Sequence, residues 1–238
     1  MKNNKCTNDI EDLLGVVLPP ESNYQLADIG EVLLYKNYQD RILWLDKDID
    51  DSLYGEMRSI IRWNLEDERN NIPLEKRKKI FLIIHSYGGQ LDACFSFIDL
   101  ISKSKTPVIT INFGNALSAG GLILLSGTKG YRYCMPLSTA LLHSGQGGAH
   151  GSYHEVEAQN KNYRHLIETM RDWVINHTNI DKKTMGKWKN DEIYLYAEDQ
   201  LKYGLVDYIV DDLFEVFKKN GLDTPDTPNT TVKEDKPE

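Results

Sequence analysis

The stretch IFLIIHSYGGQLDACFSFIDLISKSKTPVITINFGNALSAGG, residues 80–121, decides the fold class. It contains two continuous apolar runs, 80–85 and 107–112, which are typical of strands buried on both faces of a parallel sheet. Between these runs, 91–103 carries apolar residues at helical spacing. Because neighbouring parallel strands need a crossover connection, this alternation predicts a parallel sheet covered by helices. We therefore expect an α/β fold.

Sequence on both sides of this stretch extends the alternation. Towards the N-terminus, 42–45 is a short apolar run that predicts a strand, and 51–69 has the apolar spacing of a helix. Towards the C-terminus, 138–143 predicts another strand. The segment 152–178 is long and amphipathic, with an apolar stripe that repeats about every 3.5 residues. Such a narrow stripe can pack on its own domain or against a partner subunit.

Composition limits the class of protein. The chain has 238 residues, a formal net charge of −8 and a pI near 5.3. An acidic chain lacks the basic face of a general nucleic-acid binder, so we expect no nucleic acid as a partner. No run approaches the roughly 18–20 apolar residues of a membrane span, and the first residues lack the layout of a signal peptide. We therefore expect a cytoplasmic protein without a membrane partner.

The cysteines and the two ends of the chain indicate its organisation. Three widely spaced cysteines predict neither a disulfide framework nor a zinc site. We expect an N-terminal leader over 1–30 and one folded domain over 31–214. The last part, 215–238, is rich in proline and polar residues towards its end, which predicts a disordered tail.

Ser118 is the candidate nucleophile, but a serine needs a base close to it. His143 ends an apolar run, where the chain leaves the sheet for a glycine-rich loop, and His85 occupies a similar position in IIHSYGG. The structural alternative for Ser118 is a small residue where a helix crosses a strand. For His143 it is a core histidine bonded to a backbone carbonyl.

A pair of glycines supplies a candidate oxyanion hole. Gly88 and Gly89 follow a buried strand and precede a helix, and glycine lets the backbone present N–H groups close to a ligand. The N–H of Ala119, one residue after Ser118 at a helix start, is the natural second donor. Three familiar motifs are excluded: the nucleophile elbow G-x-S-x-G, because Ala116 replaces its first glycine, the dinucleotide-binding G-x-G-x-x-G and the Walker A lysine.

From about Arg41 to Val210 the chain resembles the proteolytic subunit of the Clp protease. The resemblance lies in the Gly-Gly turn, in GNALSAGG around the serine, in LLH before a glycine-rich segment and in YGLVDYI near the end. It implies a ClpP-like, crotonase-like ββα spiral with a long handle helix within 146–178. It also implies a serine endopeptidase without metal or cofactor, which cleaves unfolded polypeptides inside stacked heptameric rings and receives them from an AAA+ unfoldase.

The resemblance also implies a role for individual residues. Carried over position by position, Ser118 falls on the nucleophile and His143 on the general base. Gly89 and Ala119 fall on the oxyanion-hole positions. The family turn usually has proline where this chain has Tyr87, which alters the edge of the substrate groove.

Two residues compete for the acid of the site. The family normally has aspartate at this position, whereas the match puts Glu192 there, with Asp191 beside it. Glutamate is longer by one methylene, so either the backbone retreats or Asp191 substitutes. A solvated surface acid is the structural alternative for Glu192, because further acids crowd the same region.

Three other functions stay open at this stage. The glutamate at position 192 is compatible with a catalytically weak ring subunit that has an assembly role. A phage-type ClpP-like maturation protease would share both fold and site. A crotonase-type hydratase or isomerase would keep the fold but needs active-site acids in place of the Ser118–His143 pair, and the matching turns carry none.

Overall fold

A computed structural model of the chain describes residues 28–222. The chain divides into two units between Asp40 and Arg41. Residue 28 and helix α1, Ile29–Asp40, are the described part of the first unit, and the other described residues belong to the second. The predicted leader, 1–30, lies outside the described residues except for its last three, and α1 begins within it.

One sheet forms the centre of the second unit. Within the described residues its seven strands are β1 Ile42–Leu45, β2 Ile80–Ser86, β3 Val108–Leu117, β4 Arg132–Cys134, β5 Thr139–Leu142, β6 Ile193–Tyr196 and β7 Tyr208–Ile209. The main path runs β1, β2, β3, β4, β7, and each neighbouring pair on it is parallel. The α/β fold with a parallel sheet is therefore confirmed.

Helices separate the strands along the chain, and their ends follow the local sequence. The helices of the second unit are α2 Tyr54–Arg69, α3 Leu91–Lys103, α4 Ala119–Ser126, α5 Tyr153–His177, α6 Lys182–Trp188, α7 Ala197–Lys202 and α8 Leu213–Lys219, with short 3₁₀ turns at Asp51–Leu53 and Leu74–Lys76. Ser152 and Glu155 form a capping box at the start of α5. The carboxylate of Asp212 accepts the first free N–H groups of α8, from Phe214 and Glu215.

The core lies on both faces of the central strands. All eight residues of α4 are buried, so this helix has no solvent-facing side. Trp63 of α2 and Phe97 of α3 are almost completely buried in the same cluster. Burial of each large apolar side chain of this kind contributes about 1.5–3 kcal/mol to the stability.

Helix α8 extends the folded part of the chain beyond the predicted boundary at residue 214. Val216 of this helix is buried in a second cluster with Phe81 and Tyr133, and the Phe217 ring lies 5.1 Å from that of Phe81. The expected disordered tail, 215–238, therefore begins too early, because residues 215–219 are helical. Its last part, 223–238, lies outside the described residues.

Strand β3 changes its neighbour along its length. Residues 110–112 pair with β4, whereas Asn115–Leu117 pair with β5. Strand β5 then pairs with β6 in the antiparallel direction, which the sequence did not predict. The register puts Leu117 opposite Leu141, so the C-terminal ends of β3 and β5 lie side by side.

The long helix predicted over 152–178 is α5. Its apolar stripe is buried only in the C-terminal half, at Ile167, Met170 and Val174, while Tyr153 near the start of the helix is exposed. Neither α5 nor any other helix among the described residues is long and apolar enough to cross a membrane.

Candidate active site

Ser118 occupies the turn between β3 and α4. Its backbone has φ 55° and ψ −120°, a left-handed conformation that is rare for a residue with a Cβ atom. Backbone bonds fix this conformation: the N–H of Ser118 donates to the Leu141 carbonyl at 3.0 Å, and the Ser118 carbonyl accepts from Gly121 at 3.0 Å. A strained residue that its surroundings hold in place is typical of a functional site.

His143 follows β5 and lies next to Ser118. The parallel register of β3 and β5 brings the two strand ends together, and Nε2 of His143 lies 2.7 Å from Oγ of Ser118. When the imidazole carries its proton on Nδ1, Nε2 accepts the hydroxyl proton of Ser118. The two side chains are therefore arranged as a hydroxyl and its base.

Glu192 lies on the other side of the His143 ring. The antiparallel pair of β5 and β6 puts Leu142 opposite Ile193, so the residues flanking these positions are neighbours. Oε1 of Glu192 lies 3.7 Å from Nδ1 of His143, beyond hydrogen-bond distance, and the Glu192 side chain is 56% exposed. Asp191 makes no ion pair with His143 among the described residues, and its N–H donates to the Trp188 carbonyl.

The Gly-Gly turn packs directly against the serine. Gly88 has φ 102° and Gly89 has φ 152°, conformations that other residues rarely adopt. The Gly88 carbonyl accepts the N–H of Ile49 at 2.9 Å, and the Ile49 carbonyl accepts the N–H of Gln90 at 2.6 Å. A Cβ atom on Gly88 would lie 2.7 Å from Cβ of Ser118. The close approach of turn and serine therefore requires glycine.

Two backbone N–H groups beside Ser118 have no acceptor. Within the described residues, neither Gly89 nor Ala119 donates its N–H to another protein group. Both residues line the same cavity as Ser118 and His143. Free N–H groups next to a nucleophile can stabilise the negative oxygen that forms during acyl transfer.

A cavity of about 920 Å³ extends from Ser118 towards α5 and α6. Its wall is largely apolar, with Leu122, Leu142, Ile167, Met170, Met185 and Trp188 among the lining residues. Such a cavity can hold an apolar side chain of a substrate beside the serine hydroxyl.

Contacts that the sequence did not reveal hold the chain just after His143 and just before Glu192. Ser144, next to His143, donates its hydroxyl to the Lys189 carbonyl at 2.7 Å and accepts a bond from Arg171 at 3.0 Å. The hydroxyl of Tyr163 donates to the Ser144 carbonyl at 3.2 Å. Arg171 and Tyr163 lie on α5, far from Ser144 in sequence, so no local pattern could have identified them.

The alternative base, His85, is not part of the cavity lining. It lies near the end of β2 as predicted, and its ring stands edge-on to Tyr87 with centroids 5.9 Å apart. Gly114 leaves the space that the His85 ring occupies, because a Cβ there would lie 2.6 Å from Nδ1. The hydroxyl of Ser118 bonds to His143 and not to His85.

The thiols of the described residues do not provide another nucleophile. Burial raises the pKa of the Cys94 thiol far above its usual value, and Cys94 Sγ lies 3.4 Å from the Ala119 carbonyl oxygen. Burial is also the main cause that raises the pKa of Cys134 to about 11. Only the thiolate attacks efficiently. The described part of the chain also holds no group of three or more side chains fit to bind a metal ion.

Comparison with known proteins extends the same likeness over most of the chain. The sequence model of the Clp protease family matches residues 29–212. The ATP-dependent Clp protease proteolytic subunit of Deinococcus radiodurans is 28% identical over 173 residues, which cover 73% of this chain and 81% of that protein. The match includes every strand and all of the cavity described above. The chain therefore belongs to the Clp protease family.

Proposed function

We propose that this Clp-like peptidase is a serine endopeptidase, with Ser118 as nucleophile and His143 as general base. One observation carries the proposal: Oγ of Ser118 lies 2.7 Å from Nε2 of His143, within the range for proton transfer. The free N–H groups of Gly89 and Ala119 and the adjacent apolar cavity support it. No other hydroxyl contacts an imidazole nitrogen within the part of the chain that the structure describes.

In the first step, Oγ of Ser118 attacks the carbonyl carbon of a peptide bond. The new C–O bond forms while the hydroxyl proton moves to Nε2 of His143, and the carbonyl electron pair moves to the oxygen. The N–H groups of Gly89 and Ala119 bind this oxyanion. Loss of one such donor costs about 3–4 kcal/mol of transition-state stabilisation in other hydrolases.

In the second step, the C–N bond breaks and His143 gives its proton to the departing amine. The acyl group stays on Ser118 as an ester. A water molecule then attacks the ester carbon while His143 takes a proton from it, and Ser118 leaves with that proton as a free hydroxyl. Each proton is returned, so the net reaction is hydrolysis of one peptide bond.

Glu192 acts in this proposal as the acid that orients His143. Its carboxylate lies 3.7 Å from Nδ1 and is largely exposed. At this distance the carboxylate orients the ring through its charge, which solvent screens in part.

We also propose that the chain assembles into stacked rings and degrades unfolded polypeptides that an AAA+ unfoldase delivers. Membership of the Clp protease family supports this assembly, because the family is generally oligomeric and works with unfoldases. The Deinococcus radiodurans relative is an ATP-dependent proteolytic subunit by name. Sedimentation velocity of the purified chain tests the ring: a particle of single-chain mass at all concentrations would contradict it.

Covalent labelling tests the peptidase proposal directly. A fluorophosphonate should label the wild-type chain on the peptide that contains Ser118, and Ser118→Ala should abolish both labelling and cleavage of a fluorogenic peptide. Ser126→Ala is the matched control, because Ser126 lies on α4 and donates its hydroxyl to the Ile123 carbonyl. Undiminished labelling of Ser118→Ala would refute the assignment.

The distance between Glu192 and His143 favours a second candidate function. With the acid 3.7 Å away and exposed, the chain would serve as a catalytically weak ring subunit with an assembly role. The same purified sample separates the two functions. If the chain assembles into rings but shows no peptide cleavage that Ser118→Ala removes, the weak subunit is favoured. If Ser118→Ala removes the turnover of the wild type, the endopeptidase is favoured.

A further inference from the structure

Two amide side chains form a buried pair near the strands that lead to the candidate active site. Asn112 and Gln200 are both completely shielded from solvent. Nδ2 of Asn112 donates to Oε1 of Gln200 at 3.0 Å. These residues are 88 positions apart in sequence, and neither belongs to the proposed catalytic group.

The pair bonds to the backbone of two strands. Asn112 itself belongs to a third strand, and Gln200 lies on helix α7. Nδ2 of Asn112, on β3, also donates to the Thr139 carbonyl of β5 at 3.1 Å. Nε2 of Gln200 donates to the Leu195 carbonyl of β6 at 3.1 Å and to the Ser138 carbonyl, just before β5, at 3.1 Å. All four amide N–H bonds therefore have acceptors, so the pair ties β3, β5 and β6 together.

These three strands are the ones that carry the proposed catalytic residues. Ser118 follows the end of β3, His143 follows β5, and Glu192 precedes β6. Because β6 runs antiparallel to β5, all three residues lie at the same end of the strand group. The amide pair lies at the opposite end, where β3 exchanges β4 for β5.

The backbone ladder alone specifies this arrangement weakly. Strand β5 pairs with β3 at only three positions and with β6 at four. A slip of one residue in either ladder would turn every side chain of the shifted strand to the opposite face, which would remove His143 or Glu192 from its place. Burial of the strand residues also opposes such a slip, and directional bonds from a buried amide select the register more sharply than apolar side chains of similar size.

We propose that Asn112 and Gln200 are positioning residues, which set the register of β5 and β6 on β3 and so hold His143 between Ser118 and Glu192. This inference rests on the proposed peptidase function. It differs from a purely stabilising role, because the pair acts on the geometry of the site through the strands. The rate of the chemical step should therefore depend on the amides even when the stability does not.

Three variants separate these roles. Gln200→Leu and Asn112→Leu each leave one buried amide without its partner and should lower the melting temperature. The double variant Asn112→Leu/Gln200→Leu removes both amides of the pair, so neither amide is left without the other. It still takes one donor each from the carbonyls of Thr139, Ser138 and Leu195. We expect the double variant to recover part of the melting temperature that each single variant loses. In its folded form it should keep a kcat reduced by tenfold to a hundredfold, with KM within about twofold, because small misplacements of catalytic groups cost rates of this order.

Asn64→Leu is the matched control. Asn64 is also an amide that ties separate segments, since its side chain bonds to Ser104 and to the N–H of Thr106. Asn64 lies on α2. The segment that it bonds precedes the start of β3, at the opposite end of that strand from Ser118. This variant should lower the melting temperature and leave kcat unchanged for the folded protein.

The outcomes distinguish this inference from the proposed function. A wild-type chain without labelling or turnover that depends on Ser118 would remove the proposed function and this inference with it. Normal Ser118-dependent turnover in a folded double variant would overturn the inference alone and leave the peptidase intact. A reduced kcat in the double variant, together with an unchanged kcat in Asn64→Leu, would support the positioning role.

Discussion

Glu192 lies 3.7 Å from Nδ1 of His143, a full ångström farther than Oγ of Ser118 lies from Nε2 of the same ring. The imidazole of His143 is thus hydrogen-bonded to Ser118, but it is only near Glu192. The Glu192 side chain is more than half exposed, whereas His143 is largely covered. Water therefore competes for the Glu192 carboxylate more than for the His143 ring.

Glu192→Gln should lower kcat/KM by only about tenfold, which corresponds to about 1.4 kcal/mol. The effect is small because an exposed ion pair is screened by solvent. The measurement is the steady-state cleavage of a fluorogenic peptide. Asp191→Asn is the matched control and should have no effect, since Asp191 makes no ion pair with His143 among the described residues. A loss of several orders of magnitude in Glu192→Gln would show that the free chain rearranges to a tight triad.

Gly88→Ala should inactivate the chain. Its Cβ would lie 2.7 Å from Cβ of Ser118 and 2.8 Å from the Leu117 carbonyl, and φ 102° strains any residue other than glycine. We expect loss of fluorophosphonate labelling and a destabilisation of about 1–3 kcal/mol, measured by urea unfolding. Gly55→Ala is the control: a Cβ there meets nothing within 4 Å inside helix α2. It should raise stability by about 0.5–1 kcal/mol. An active, fully stable Gly88→Ala would contradict the close approach.

The ion pair between Asp207 and Arg132 should make stability fall in acid. Burial alone would raise the pKa of Asp207, but hydrogen bonds from Arg132, its positive charge and the N–H of Gly130 outweigh burial and hold this pKa below its usual value. The unfolded chain therefore takes up the proton first. The contribution is complete above the unfolded pKa of about 3.9, and it is lost as the pH falls from there through the lower folded pKa.

Asp207→Asn checks this account. It leaves the guanidinium of Arg132 buried without its partner, so unfolding at pH 7 should cost about 3–5 kcal/mol less than in the wild type. The difference between the two proteins should shrink as the pH falls below about 4. Asp211→Asn removes an exposed carboxylate nearby and should change neither value. A difference that stays constant down to pH 2 would contradict the linkage.

The buried thiols should be inert in the native protein. Burial is the main cause that raises the pKa of Cys134 to about 11, and the Cys94 thiol is buried completely. In a Cys6→Ser variant, Ellman's reagent at pH 8 should react with neither thiol until denaturant is added, and then with both. Rapid reaction of one thiol under native conditions would mean that α3 or β4 opens without global unfolding.

The sequence predicted the parts of the fold that local pattern controls. Apolar runs identified β2 and β3, because burial on both faces leaves a composition that is readable from the chain. Helix α6 and strand β6 were not predicted. In β6 only Leu195 is buried while Tyr194 and Tyr196 are exposed. Because its four residues are Ile, Tyr, Leu and Tyr, the sequence shows no alternation of apolar and polar residues.

Local sequence also predicted one part of the candidate site, whereas the other part depends on tertiary contacts. Ser118, His143 and the Gly-Gly turn could be proposed because each lies at a strand end with glycine nearby, and the structure brings them together. The choice between Glu192 and Asp191 depends on how β6 meets β5, which is a tertiary register. The bonds of Ser144 to Arg171 and Tyr163 join segments that are distant in sequence, and only the folded chain shows them.

Helix α4 begins at the nucleophile and is buried along its whole length. A densely packed element yields little to local force, so Ser118 is attached to one of the least deformable parts of the molecule. The base, in contrast, leads into residues 143–152, which form no helix or strand. When a peptide binds, we therefore expect His143 and the segment after it to move, while Ser118 keeps its position.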